Sequence, residues 1–189
     1  MTNNSFKIFS GKYKGRKFTF PDVDGLRPTP GKVRETLYNW ISFECQNKTF
    51  LDLFAGSGAL SFEALSRGAR RVVSIEKNRE AYKNLINTSK IIGSDKIEIL
   101  NQDYVKYLNF KNNKSFDFVL LDPPFNQNLI PTALKLLSDG LFIRPGGKIY
   151  IESEYKITEK QVSEFFSRNI ELEKQKKSGQ VHYCLIKII

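Results

Sequence analysis

The chain has 189 residues, 40% of them hydrophobic and 13% aromatic, which excludes intrinsic disorder and allows one buried core without a metal or disulfide staple. Thirty Lys and Arg against 20 Asp and Glu leave a formal charge of +10, which points to a polyanionic partner. No apolar run is long enough to cross a membrane, and the N-terminal residues carry no apolar signal core, so a soluble, cytoplasmic protein is expected.

Cys45 and Cys184 are two isolated thiols, and His182 is the single histidine. No metal site is expected, and Ser-His-Asp catalysis has too little to work with.

The positive charge is uneven. Residues 1–34 carry eight Lys and Arg against two Asp, so more than half the surplus lies in under a fifth of the chain. Lys12, Lys14, Arg16 and Lys17 alternate with Phe6, Phe9, Tyr13, Phe18 and Phe20, and Gly11 and Gly15 punctuate the segment. The pattern predicts a short β-hairpin with a basic tip suited to nucleic-acid phosphates.

Residues 22–31 then read as a loop, from their Gly, Pro and Asp content. A helix follows, with Val33, Leu37, Trp40 and Ile41 on one face. Strands are expected at 49–54, 71–75, 96–100, 116–121, 148–152, 170–174 and 181–188, with helical runs such as 60–67 and 79–92 between the earlier ones. This alternation predicts an α/β, Rossmann-like, doubly wound sheet of seven strands. The last two strands have no helix between them and should pair as an antiparallel edge hairpin around Gly179. Residues 1–28 are read as the hairpin extension and 29–189 as the main domain.

Four strand ends carry chemistry. The first runs into Asp52-Leu-Phe54-Ala-Gly56-Ser57-Gly58, where glycines let the backbone turn sharply and approach a ligand. Ser61 stands where a dinucleotide fingerprint would need its third glycine. The second ends at Glu76, whose carboxylate can accept from both hydroxyls of a ribose, although an ordinary solvated glutamate opening a helix would look the same. Asp103, after the third, can accept from an adenine amine or merely close a turn. Together the three predict a nucleoside-type cofactor. The fourth strand leads into Asp122-Pro123-Pro124-Phe125, where the Asp122 carboxylate and the Pro123 carbonyl can each accept one hydrogen of a planar amine. Phe125 offers a ring on which a base can stack.

With these residues in hand, the chain resembles a class I S-adenosylmethionine-dependent methyltransferase, and the Asp-Pro-Pro-Phe loop resembles that of the exocyclic-amine N-methyltransferases. Arg27-Pro-Thr, Val33-Arg-Glu-Thr-Leu-Tyr-Asn-Trp40, Glu63-Ala-Leu-Ser-Arg-Gly68, Glu152-Ser-Glu154 and Gly179-Gln-Val181 occur in order. They extend the resemblance, over nearly the whole chain, to the bacterial 16S rRNA (guanine-966-N2)-methyltransferase family. Pro30-Gly31 departs from that pattern, where a Thr or Ser and an acid would cap the helix.

The resemblance implies S-adenosyl-L-methionine bound by Asp52, Phe54, Gly56, Ser57, Gly58, Glu76, Lys77 and Asp103. It implies catalysis by Asp122, Pro123, Pro124 and Phe125, and RNA contacts from Lys12, Lys14, Arg16, Lys17, Arg27 and Arg34. Thr29 would lie near the cofactor or the RNA, and Arg34 could equally be a structural partner of its helix. A monomer acting on 16S rRNA in the small ribosomal subunit is expected. Three other readings stay open: an adenine-N6 methyltransferase of DNA or another RNA, an NAD-dependent oxidoreductase, and a non-catalytic RNA-binding assembly factor.

Overall fold

The computed structural model describes residues 4–23, 29–110 and 115–189, so Arg27 lies outside the described residues. An antiparallel ribbon of β1 (Ser5–Lys7) and β2 (Lys17–Thr19) opens the chain, with Phe6 opposite Phe18. Helix α1 (Gly31–Trp40) follows, and its N-cap residue Pro30 offers no side-chain hydrogen bond, as the Pro30-Gly31 departure predicts.

Seven strands then form one sheet. Strands β3 (Thr49–Asp52), β4 (Arg71–Glu76), β5 (Ile97–Asn101), β6 (Phe116–Leu121) and β7 (Ile143–Ser153) run parallel. The hairpin of β8 (Ile170–Ser178) and β9 (Val181–Ile188) closes one edge antiparallel, giving the order β5-β4-β3-β6-β7-β9-β8. The connecting helices are α2 (Ala59–Ser66), α3 (Arg79–Ile92), α4 (Tyr104–Asn109), α5 (Leu129–Asp139) and α6 (Glu159–Ser163). The doubly wound seven-stranded sheet and its edge hairpin are thus both present. The chain steps outward from β3 to β4 and β5, then crosses back to β6, so the switch point for a ligand lies between β3 and β6.

Three strands depart from expectation by two residues or more; one is β8, which runs on to Ser178 instead of stopping at residue 174. Strand β7 starts five residues early, at Ile143, because Pro145, Gly146 and Gly147 sit in a bulge rather than a loop. Ile143 pairs with Phe116 and Lys148 with Phe118, so the extra residues bow out between them. Strand β3 stops at Asp52 instead of residue 54, because the glycine turn has already begun.

Side-chain alternation sends Phe50, Phe118, Leu120, Tyr150 and Tyr183 to one face, under α1, α2, α3 and the N-terminal ribbon. Leu51, Val119, Leu121, Ile151 and Ile186 face α4, α5 and α6. Every residue of α2 is buried, because the ribbon covers the side that the sheet does not. Phe62 of α2 stacks against Phe6 and Phe18 with ring centroids 6.3 Å from each. The inserted Glu63 would be costly in such a place, yet its carboxylate accepts from the Phe9 and Ser10 amides at 2.9 and 3.1 Å and from Arg67 Nε at 2.8 Å. The ribbon is therefore fastened to the sheet domain by a buried, fully satisfied charge. No helix among the described residues is long and apolar enough to cross a membrane.

Glu63→Ala should leave two amides and a guanidinium without their acceptor and cost about 3 kcal/mol. The denaturant midpoint should fall accordingly, and amide exchange should quicken at Phe9 and Ser10. An unchanged midpoint would show that the ribbon is held by its aromatics alone.

Candidate active site

The site is built on the carboxyl edge of the sheet, at the switch point. After β3 the chain turns through Gly56 and Gly58, at φ +51° and +81°. Gly58 opens α2, and a Cβ there would fall 2.5 Å from Leu85 and Phe62, so the tight turn admits only glycine. Directly beneath, Asp52 is fully buried. Its Oδ2 accepts from Ser61 Oγ at 2.6 Å, and Ser61 Oγ also lies 2.7 Å from Ser74 Oγ. Asp52 Oδ1 is buried without a hydrogen-bond partner among the described residues. Burial pushes this carboxyl up to about 7, while the Ser61 hydrogen bond pulls the other way. The replacement of the fingerprint glycine by Ser61 therefore has a positive role, which is to orient Asp52.

Glu76 ends β4 and clasps the glycine turn. Its Oε2 accepts from the Gly56 amide at 2.8 Å and its Oε1 from the Asn78 amide at 2.6 Å. Burial raises its carboxyl, and these amides partly offset that. Asn78 then caps α3 by accepting from the Glu80 and Ala81 amides. On the next loop, Asp103 caps α4 through the Val105 amide at 2.8 Å and pairs with Lys77 Nζ at 3.0 Å. Phe54 tilts against Tyr104 with centroids 4.8 Å apart. Asn101, which the sequence did not single out, ties these loops together by donating to the Glu76 and Lys77 carbonyls at 2.9 and 3.1 Å.

Across the switch point, Asp122 follows β6. Thr29 Oγ1 donates to its Oδ2 at 2.7 Å, so the segment before α1 reaches the candidate catalytic loop. Burial pushes the Asp122 carboxyl up to about 6, against the pull of the Thr29 hydrogen bond. Leu121 pairs with Ile151, which sets Asp122 beside Glu152 on the neighbouring strand. Glu152 is 1% exposed and accepts from Tyr150 Oη at 2.9 Å. Burial, and then the charge of Asp122, hold the Glu152 carboxyl well above the usual range. Pro123 is buried, while Pro124 and Phe125 are half-buried. Asn126 and Asn128 take positive φ of 62° and 50° beyond them, and the Asn126 amide donates to Glu154 Oε1 at 3.0 Å. Of the Glu152-Ser-Glu154 run in the sequence, Glu154 thus braces the loop after Asp122, and Glu152 stands beside Asp122 on β7.

The basic residues separate into different environments. Lys12, Lys14 and Lys17 are exposed. Arg16 is half-buried, donates to the Ile91 carbonyl at 3.1 Å and lies 5.3 Å above the Phe18 ring. The ribbon tip docks on the C-terminal end of α2: the Lys12 amide donates to the Ser66 carbonyl at 2.8 Å, and the Tyr13 amide to Ser66 Oγ at 2.9 Å. That end of α2 is opposite the glycine turn, so the tip stands away from Asp122. Arg34 is a correction. Expected among the RNA contacts, it is 2% exposed, donates to the Lys7 carbonyl at 2.6 Å and lies 4.5 Å above the Phe9 ring. Its guanidinium holds the ribbon to α1 and is closed to a phosphate.

The arrangement has close relatives. The profile of the family described as conserved hypothetical protein 95 matches residues 6–187. The ribosomal RNA small subunit methyltransferase D of Haemophilus influenzae is 37% identical, over 95% of this chain and 92% of its own. The protein of the same name from Escherichia coli K12 is 36% identical, over 97% and 90%. The solved structure of the putative methyltransferase yhhF from Escherichia coli superposes with a TM-score of 0.85 at 35% identity, covering 98% of each chain. This chain belongs to the conserved hypothetical protein 95 family, with the small-subunit ribosomal RNA methyltransferases D among its relatives.

Proposed function

We propose that this protein methylates the exocyclic N2 amine of a guanine in 16S rRNA of the small ribosomal subunit, with S-adenosyl-L-methionine as donor. The observation that carries the reading is the meeting, across one switch point, of the Asp122-Pro123-Pro124-Phe125 loop and a glycine turn beside buried Asp52, whose Oδ1 has no hydrogen-bond partner among the described residues. On this reading residues 1–28 are an extension, and residues 29–189 hold the transfer machinery.

The residues present fit the cofactor. Asp52 Oδ1, buried and without a hydrogen-bond partner among the described residues, suits an ammonium group such as that of the methionine end. The Gly56–Gly58 turn allows close backbone approach, and on this reading Glu76 would take the ribose, with Phe54, Ser57, Lys77 and Asp103 completing the set. When bound, the cofactor supplies an electrophilic methyl group.

The chain's own part is to present the amine. Thr29 occupies one side of Asp122 Oδ2, which leaves Oδ1 to accept one amine hydrogen while the Pro123 carbonyl accepts the other. Held in this way, the nitrogen lone pair turns out of conjugation with the purine and toward the donor. Phe125 stacks on the base, which must leave its helical stack to enter. Once methylated, the amine is a strong acid, and its proton is released from the Asp122 side. The acceleration comes from positioning and from fixed acceptors rather than from a covalent enzyme intermediate.

Unmodified small subunits, incubated with radiolabelled cofactor and digested, should yield N2-methylguanosine. Label in N6-methyladenosine, or only in DNA, would overturn the substrate assignment. Asp122→Ala should lower turnover about a thousandfold while calorimetric cofactor binding persists.

Asp122 must be ionised to accept, so turnover should fall as pH drops through about 6. Thr29→Val removes the hydrogen bond that favours the charged form, so this acid limb should move to higher pH. A limb unmoved by Thr29→Val would separate Thr29 from the chemistry.

The Asp52 carboxyl likewise must be ionised to meet a cation. Cofactor affinity should weaken by about tenfold per pH unit below 7 and level off above it. Asp52→Asn should bind weakly with no such slope, and a flat wild-type profile would remove Asp52 from the cofactor site.

A further inference from the structure

The charge of the β8–β9 hairpin is segregated along its length. Residues 174–182 hold Lys174, Lys176 and Lys177 and no carboxylate, whereas Glu171 and Glu173 lie toward the opposite end. Glu173 is already paired, with Lys148 at 2.8 Å. The three lysines are exposed, and none makes an ion pair or side-chain hydrogen bond among the described residues.

Register places this cationic end at the active-site edge. Strand β9 runs antiparallel to β7, so Ser153 pairs with His182 and Glu152 with Tyr183, while Lys176 pairs with Tyr183 from the other side. Asp122, Glu152, Tyr183 and Lys176 therefore lie in one row across β6, β7, β9 and β8. Three strand spacings put the Lys176 backbone about 14 Å from that of Asp122. Lys174 and Lys176 pair with Leu185 and Tyr183, which belong to the core face shared by Tyr150, so they stand on the same side of the sheet as Asp122 and Thr29. Edge lysines that only discouraged strand addition would serve equally well anywhere along β8. Here they are gathered at the end that faces the substrate, while the tip of the N-terminal ribbon docks at the other end of α2.

We propose that the active-site end of the β8–β9 hairpin, through Lys174, Lys176 and Lys177, grips the phosphate backbone of the RNA next to the target nucleotide. The proposal rests on the RNA-methyltransferase reading above. The ribbon tip would then serve a more distant part of the same RNA surface, and the C-terminal hairpin would position the strand that delivers the base.

The test compares the wild type, the triple variant Lys174→Ala/Lys176→Ala/Lys177→Ala and the corresponding triple Arg variant on unmodified small subunits. The Ala variant should raise KM about tenfold with kcat little changed, and should flatten the salt dependence of binding by roughly two counterions. Its cofactor affinity and thermal midpoint should match the wild type, and the Arg variant should restore KM. An unchanged KM and salt slope would overturn the proposal, as would an Ala variant whose only defect is self-association. A wild type that methylates no small subunits would instead sink the underlying reading, so the two failures are distinguishable.

Discussion

Four carboxylates stand on four neighbouring strands at one edge of the sheet: Glu76, Asp52, Asp122 and Glu152 on or just beyond β4, β3, β6 and β7. Mutual repulsion and lost hydration make such a row costly, and the rest of the site answers that cost. The Gly56 and Asn78 amides hold Glu76, Ser61 holds Asp52, Thr29 holds Asp122 and Tyr150 holds Glu152. Each partner comes from a different part of the chain, so the edge is complete only when α1, α2 and both halves of the sheet are assembled. The result is an excess of acceptors. An ammonium, ribose hydroxyls and an exocyclic amine share one property, hydrogens to donate, and one electrostatic character of the edge suits all three.

Much of this was legible in the sequence, for identifiable reasons. Strands buried on both faces read as apolar runs, so the parallel β6 and the antiparallel β9 came out with their full bounds. Helix α3 did too, because Asn78 and Gly93 cap it with side chain and backbone suited to each end. Strand β7 was foreshortened because its start is written in Pro and Gly, residues that signal loops unless a bulge absorbs them. At the site, Asp52, Glu76 and Asp122 were visible because each ends or directly follows a strand. Thr29 was flagged only through the resemblance, Ser61 only as a missing glycine and Asn101 not at all, because each acts on a partner many positions away that only the closed fold brings near.

Arg34 and the lysines of β8 make the complementary point about charge. Composition locates a basic excess near the N-terminus, but cannot distinguish a guanidinium lying over Phe9 from an ammonium in water. Burial decides that question, and it removes Arg34 from the pool of available cations. Register decides the other, because the same lysines would mean little if β9 ran parallel to β7 and carried them to the far edge.

The docking of the ribbon on α2 also orders events in time. Phe9 and Glu63 are 54 positions apart, and Ser10 and Ser66 are 56 apart, so the contacts that seat the N-terminus wait for a long loop to close. During synthesis the aromatic ribbon leaves the exit tunnel well before the helix that receives it. Until α2 follows, Phe6 and Phe18 have no Phe62 to stack on, and α2 in turn has no cover for its outer side. The first residues made thus wait for residues 59–66 before they can pack, and the nascent chain carries an aromatic segment exposed over that interval.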